Sequence, residues 1–143
     1  MGQIAKYVIE LVTELLDDAP ELEKTYEWAL GDVSEKTGRA RQLPFDAVWE
    51  SRRLIVEVDE DQHWRPVDFW DKPDKLTVSG VSRGEQRRIY AERKRAAARA
   101  QGYVVLEISW ERKPVPTKRN READLALVRN RLLESGLSLI HLP

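Results

Sequence analysis

Leu43-Pro44-Phe45-Asp46-Ala47-Val48-Trp49 and Arg53-Leu54-Ile55-Val56-Glu57-Val58, followed at once by Asp59, decide how this chain folds. Both stretches are rich in aromatic and β-branched residues, and the polar Glu50-Ser51-Arg52 between them is short enough to join a hairpin. Side chains alternate along a strand, so Glu57 and Asp59 share one face while Leu54, Val56 and Val58 share the other. Asp46, across the hairpin, can approach the same spot. Three carboxylates brought to one point repel each other unless a cation lies between them. Hard oxygen donors in that number suit Mg2+ or Mn2+, which keep waters and bind phosphates. Such a centre makes water nucleophilic and stabilises charge developing on phosphate. The plainer alternative is three solvated acids on the polar face of a half-exposed sheet, although acids are depleted from strands.

Working outward, Ile4, Val8, Leu11, Val12, Leu15 and Leu16 recur at three- and four-residue steps and predict an amphipathic helix over 3–17, ended by Asp17-Asp18-Ala19-Pro20. Residues 25–30 (TYEWAL) read as a strand stopping at Gly31-Asp32. Residues 31–42 are polar, with a turn at Lys36-Thr37-Gly38-Arg39. Residues 60–83, with Pro66, Pro73 and Gly80, read as a long, partly ordered loop of the kind that is usually functional or mobile. A helix over 85–101 stops at Gly102, and a strand over 103–108 follows. Beyond a Pro-bounded link at 113–116, a last helix over 118–134 carries Leu125, Val128 and Leu132 on one face. The order α-β-β-β-α-β-α describes one α/β domain over 1–143, with a core of about 3–110 and a C-terminal helical extension at 117–143.

A chain of 143 residues is one ordinary domain. At 41% hydrophobic and 34% charged it is neither a disordered tail nor a membrane protein. The N-terminus lacks the cleavage site of a secretory signal, so a cytoplasmic location is expected. The absence of cysteine excludes disulfides, thiolate metal sites and cysteine nucleophiles. The net charge of −1 conceals a split. Residues 1–62 carry 15 acids and 7 bases (−8), and residues 63–143 carry 17 bases and 10 acids (+7). That division suits a carboxylate cluster beside an anion-binding surface, or two halves that neutralise each other.

The basic half supplies further candidates. His63, four residues past Asp59, is placed to act as general base or to assist a leaving group, or else is a structural hydrogen-bonding residue. Trp64, Phe69 and Trp70 stand among charges, where they either stack on bases or pack the loop down. The helix over 85–101 carries Arg87, Arg88, Arg93, Lys94, Arg95 and Arg99, with Arg83 just before it. Its Ile89, Ala96 and Ala100 form the expected sheet-facing side. Arg83, Arg87, Arg88, Lys94 and Arg95 are expected to contact phosphates, because guanidinium groups bind them through paired donors. Gln86 and Tyr90, one turn apart, are candidates to reach the scissile phosphate or to orient the metal-binding acids.

The pattern of Asp46 in Pro44-Phe45-Asp46, then Glu57, within a helix, three strands, helix and strand, resembles the PD-(D/E)XK nuclease superfamily. Gln86-Arg87-Arg88-Ile89-Tyr90 is similar to the Gln-x-x-x-Tyr helix motif of its RecB-like members. The run Glu57 to His63, with the later Arg-rich helix and Gly102-Tyr103-Val104-Val105-Leu106, is similar to small very-short-patch-repair endonucleases. The resemblance covers roughly residues 1–110. It implies the restriction-endonuclease fold, an α-β-β-β-α-β core with a central mixed sheet and here an added C-terminal helix. It also implies catalysis with Mg2+ or Mn2+ on Asp46 and Glu57, with a first-helix acid, Glu14 chosen narrowly over Glu10, as a candidate additional metal carboxylate. Where that family usually has lysine, this chain has Asp59. Either Asp59 holds a second metal or positions water, or a migrated cation (Lys72, Lys75, Arg87 or Lys94) takes the lysine's part, or the chain has kept the fold and lost the chemistry.

The expectation is a divalent-metal-dependent nuclease hydrolysing DNA, with RNA left open, no membrane partner, and a homodimer if both strands of a duplex are cut. Its catalytic set is Asp46, Glu57, Asp59, His63, Gln86 and Tyr90. The rivals are a non-catalytic nucleic-acid-binding module on the same scaffold and a protein-interaction domain.

Overall fold

The apolar stripe of the N-terminal segment coils Gln3–Leu16 into α1, with Val8, Leu11, Val12 and Leu16 almost wholly buried. In this computed structural model, which describes residues 1–60, 80–110 and 120–136, α1 is followed by β1 (Glu21–Lys24), β2 (Leu30–Val33), β3 (Ala40–Gln42) and β4 (Phe45–Trp49). A single 3-10 turn, Glu50–Arg52, then leads to β5 (Leu54–Glu60), α2 (Arg83–Ala100), β6 (Val104–Trp110) and α3 (Arg121–Glu134). Among the described residues no helix is long and apolar enough to cross a membrane. His63, Trp64, Phe69, Trp70, Lys72, Lys75, most of the expected 60–83 loop, the 113–116 link and His141 lie outside the described residues.

The architecture is α/β, built on a four-stranded mixed sheet in the order β1-β4-β5-β6. β1 pairs with β4 and β4 with β5 antiparallel, and β5 pairs with β6 in parallel from Leu54↔Val104 to Glu60↔Trp110. Strand alternation gives the sheet two buried faces. One presents Ala47, Trp49, Leu54, Val56, Val58, Leu106, Ile108 and Trp110 to α1 and α3. The other presents Val48 and Ile55, with Phe45, to Ala98 of α2 and to Tyr103 and Ala29. α3 thus shares a core with α1, and the hydroxyl of Tyr7 donates to the fully buried carboxylate of Asp124 at 2.7 Å.

Three sequence expectations are corrected. Residues 25–29 are not a strand: Tyr26 and Trp28 stack at 4.4 Å between centroids and lean on Phe45 and Tyr103. Their aromatic content serves burial rather than a ladder. Residues 31–42 are not plain loop, because β2 and β3 form a small antiparallel hairpin around the expected turn. Finally, α2 does not face the sheet with Ile89, Ala96 and Ala100, all of which are exposed. It turns in Ala91, Lys94, Arg95 and Ala98, since the sheet face it covers carries acids that draw two cations inward. α2 starts at Arg83 because Ser82 caps it, its hydroxyl accepting from the Glu85 amide at 3.3 Å. It ends at Gly102, whose φ of +86° is a conformation that a side chain would strain.

Candidate active site

Ladder pairing of β4 with β5 runs from Trp49↔Leu54 to Ala47↔Val56. One step further along the same register sets Asp46 beside Glu57, and there the two acids take over the backbone bonding. The Asp46 amide donates to Glu57 Oε2 at 3.2 Å, and the Val58 amide donates to Asp46 Oδ2 at 2.9 Å. Each carboxylate is therefore aimed by the neighbouring strand.

Lys94, reaching down from α2, completes the cluster. Its Nζ stands 2.7 Å from Glu57 Oε1, donates to the Pro44 carbonyl at 2.8 Å, and lies 5.3 Å from the centre of the Phe45 ring. A carboxylate, a carbonyl and an aromatic face make a fixed seat for an ammonium. The Lys94 side chain is 17% exposed and that of Glu57 10%. Burial pushes the Glu57 carboxyl up to about 7; the Lys94 charge opposes that rise and the Asp46 charge adds to it.

The cluster differs from the expected one. Among the described residues no group of three or more acids and histidines stands close enough to hold one ion. Asp46 and Glu57 are brought together, and the expected convergence with Asp59 is not found. Asp59 points to the same face as Glu57 but two residues on, about 6.6 Å further along the strand, and is half-exposed. Glu14 is elsewhere: α1 covers the opposite face of the sheet, and Glu14 pairs with Arg121 of α3. Hard carboxylate oxygens on adjacent strands, whose mutual repulsion a cation would relieve, nevertheless fit a single Mg2+ or Mn2+ ion whose shell is completed by water or phosphate. His63 lies outside the described residues.

The α2 candidates divide by partner. Arg95 pairs with Glu107, which neighbours Glu57 in the β5–β6 register and faces α2. Lys94 and Arg95, expected on phosphates, are thus engaged within the protein. Arg83, Arg87 and Arg88 are exposed. Tyr90 turns to the β2–β3 hairpin: its hydroxyl accepts from the Asp32 amide at 2.9 Å and from Gln86 Nε2 at 3.3 Å. Its ring covers Gly31 so closely that a Cβ there would meet it at 2.9 Å. Gln86 and Tyr90 therefore hold the hairpin.

Sequence reading missed Glu107 as part of this face, and it missed Glu50. The 3-10 turn residue Glu50 accepts from the hydroxyls of Tyr26 and Tyr103 and from Lys24 at the other end of β4. Burial raises its carboxyl, but these three donors outweigh it and hold the group below its usual range. Period-two counting around 57 and 59, extended to 105, 107 and 109, would have found Glu107. Nothing local marks Glu50, whose partners are distant in sequence. Comparison with family models, with curated proteins and with solved structures finds no match to the chain.

Proposed function

We propose that the protein is a divalent-metal-dependent nuclease of the PD-(D/E)XK kind that hydrolyses DNA phosphodiester bonds. The observation that carries this reading is the Asp46–Glu57–Lys94 cluster, in which Glu57 accepts from the Asp46 amide and stands 2.7 Å from the Lys94 ammonium while Asp46 accepts from the next amide of β5. The order α1, β1, β4, β5, α2, β6, antiparallel through β5 and parallel at β6, supports it. On this view β2–β3 is an insertion into the expected core, and Lys94 supplies from α2 the cation that Asp59 replaces on β5.

Asp46 and Glu57 would hold Mg2+ or Mn2+, which when bound polarises the phosphate and lowers the pKa of water. Aimed by backbone amides, the two acids need little rearrangement to do so. Lys94 is seated against Glu57 in the resting protein. With a divalent ion held by the acids, the Lys94 ammonium would be available to orient water or to stabilise charge on the phosphate oxygens. Arg87 and Arg88, exposed on the same helix, can reach the nucleic-acid backbone.

Cleavage of supercoiled plasmid and of a labelled single strand, with Mg2+, Mn2+ or EDTA, tests this. Activity is expected with either metal and not with EDTA. Asp46→Asn abolishes it, and Lys94→Met lowers it about 10²–10³-fold. Undiminished cleavage by Asp46→Asn, purified apart from host nucleases, refutes the proposal. A second reading, a nucleic-acid-binding module without turnover, is favoured by the ammonium seated 2.7 Å from Glu57. Salt-dependent DNA binding with no cleavage in either metal would select it.

A further inference from the structure

A cleft of about 450 Å3 opens between the β2–β3 hairpin and the first turns of α2, floored by Tyr90 and Gln86. Arg39 and Arg41 both line it, and both are exposed. Asp32, the carboxylate in its wall, is neutralised by Arg93 at 2.7 Å. The cations of α2 that face the protein are each committed: Arg93 to Asp32, Lys94 to Glu57, Arg95 to Glu107. Among the described residues, neither Arg39 nor Arg41 has an ion-pair partner. Two guanidinium groups therefore stand uncompensated in a concave surface whose lining acid is already paired. Thr37 and Ser34 add hydroxyls beside them.

The cleft is also in register with the carboxylates. Leu43 lines it, and the next residue, Pro44, gives its carbonyl to Lys94 two positions before Asp46. On α2, Tyr90 and Lys94 are about one turn apart, about 6 Å along the axis. Arg39 and Arg41, flanking Ala40, are spaced about 6.6 Å apart along extended chain.

We propose that this cleft binds the phosphodiester backbone of the DNA strand next to the bond held at Asp46 and Glu57, with Arg39 and Arg41 on successive phosphates. The proposal rests on the nuclease reading for its orientation, and its charge pattern stands apart from that reading. It moves the main phosphate-binding surface from α2 to the hairpin. The packing of Tyr90 on Gly31 and its bond from the Asp32 amide then keep the hairpin arginines at a fixed distance from the metal-binding acids.

Anisotropy of a labelled single strand of about 20 nucleotides, and of the matching duplex, measures this in EDTA, where nothing is cut. Removing one phosphate-binding cation should flatten the plot of log K against log salt by ~0.7 for a single strand and ~0.9 for a duplex. Arg39→Ala/Arg41→Ala is therefore expected to flatten the single-strand slope by ~1.4 and, near 0.1 M salt, to weaken binding about 25-fold. Arg39→Lys/Arg41→Lys keeps most of the slope, and Lys6→Ala, an exposed cation on α1, leaves it unchanged. Because both arginines are exposed, circular dichroism should match the parent chain. Binding by the double alanine variant that equals that of Lys6→Ala overturns the proposal, even where the parent cleaves DNA through Asp46. A parent that never cleaves, but whose affinity falls with the double variant, supports the cleft and refutes the nuclease reading alone.

Discussion

Replacing Glu57 by glutamine should change how stability depends on pH more than it changes stability itself. The folded protein holds a Glu57 carboxyl raised to about 7, chiefly by burial, against an ordinary 4.5. Between those values the folded chain keeps a proton that the unfolded chain has released. Stability contributed by this group is therefore greatest in acid and declines as pH rises through 7. From pH 5 to pH 8 the decline amounts to about 2–3 kcal/mol. Glutamine cannot ionise, so the variant escapes that decline while keeping the side chain's size. Lys94 loses an anion in the variant, but at pH 5 it faces a largely neutral carboxyl in the parent as well. Urea unfolding of both proteins at pH 5, 6, 7 and 8, with chelator throughout, gives the difference directly. Other titrating groups are common to both and cancel. Glu57→Gln should gain about 2–3 kcal/mol on the parent over this range. An offset constant to within about 0.5 kcal/mol would refute the claim that Glu57 is buried at the expense of its charge.

Other substitutions probe the frame around the site. Gly31→Ala drives a methyl into the Tyr90 ring and should cost about 1–3 kcal/mol in urea unfolding, with part recovered when Tyr90→Ala is added; an unchanged midpoint would contradict the packed hairpin. Trp49→Phe removes the 2.7 Å bond from the indole nitrogen to the Asp18 carbonyl, and at about 2 kcal/mol should lower the melting temperature by about 4–8 °C. Glu50→Ala strands the hydroxyls of Tyr26 and Tyr103 among aromatic rings and should cost about 2–3 kcal/mol, whereas Lys24→Ala, which removes an outer donor, should cost under about 1 kcal/mol.

What could be read in the chain followed from periodicity. The apolar steps of α1, the hairpin of β4 and β5, and the glycine stop after α2 are local signals, and each element lies within a few residues of its expected position. Asp46 and Glu57 were legible because alternation plus a short turn fixes which side chains share a face. Other features depend on partners distant in sequence. Lys94 sits against Glu57 because the parallel pairing of β6 with β5 carries α2 across that face, a consequence of topology invisible in residues 83–100 alone. For the same reason the helix buries charged positions in place of Ile89 and Ala96. The strands β2 and β3 escaped notice because LGDV and ARQ are too short and polar to show a period.

The four-residue step from Tyr90 to Lys94 has a consequence for how such a chain can vary. One end of that helical turn grips the hairpin, and the other grips Glu57. Inserting a single residue between them would swing everything beyond it by about 100° around the helix axis, parting the two grips whichever residue was added. An outward-facing side chain of this turn such as Glu92 can be exchanged without parting the grips. The count of residues between the two grips cannot change. It is a spacing, rather than an identity, that a search for related chains should hold fixed.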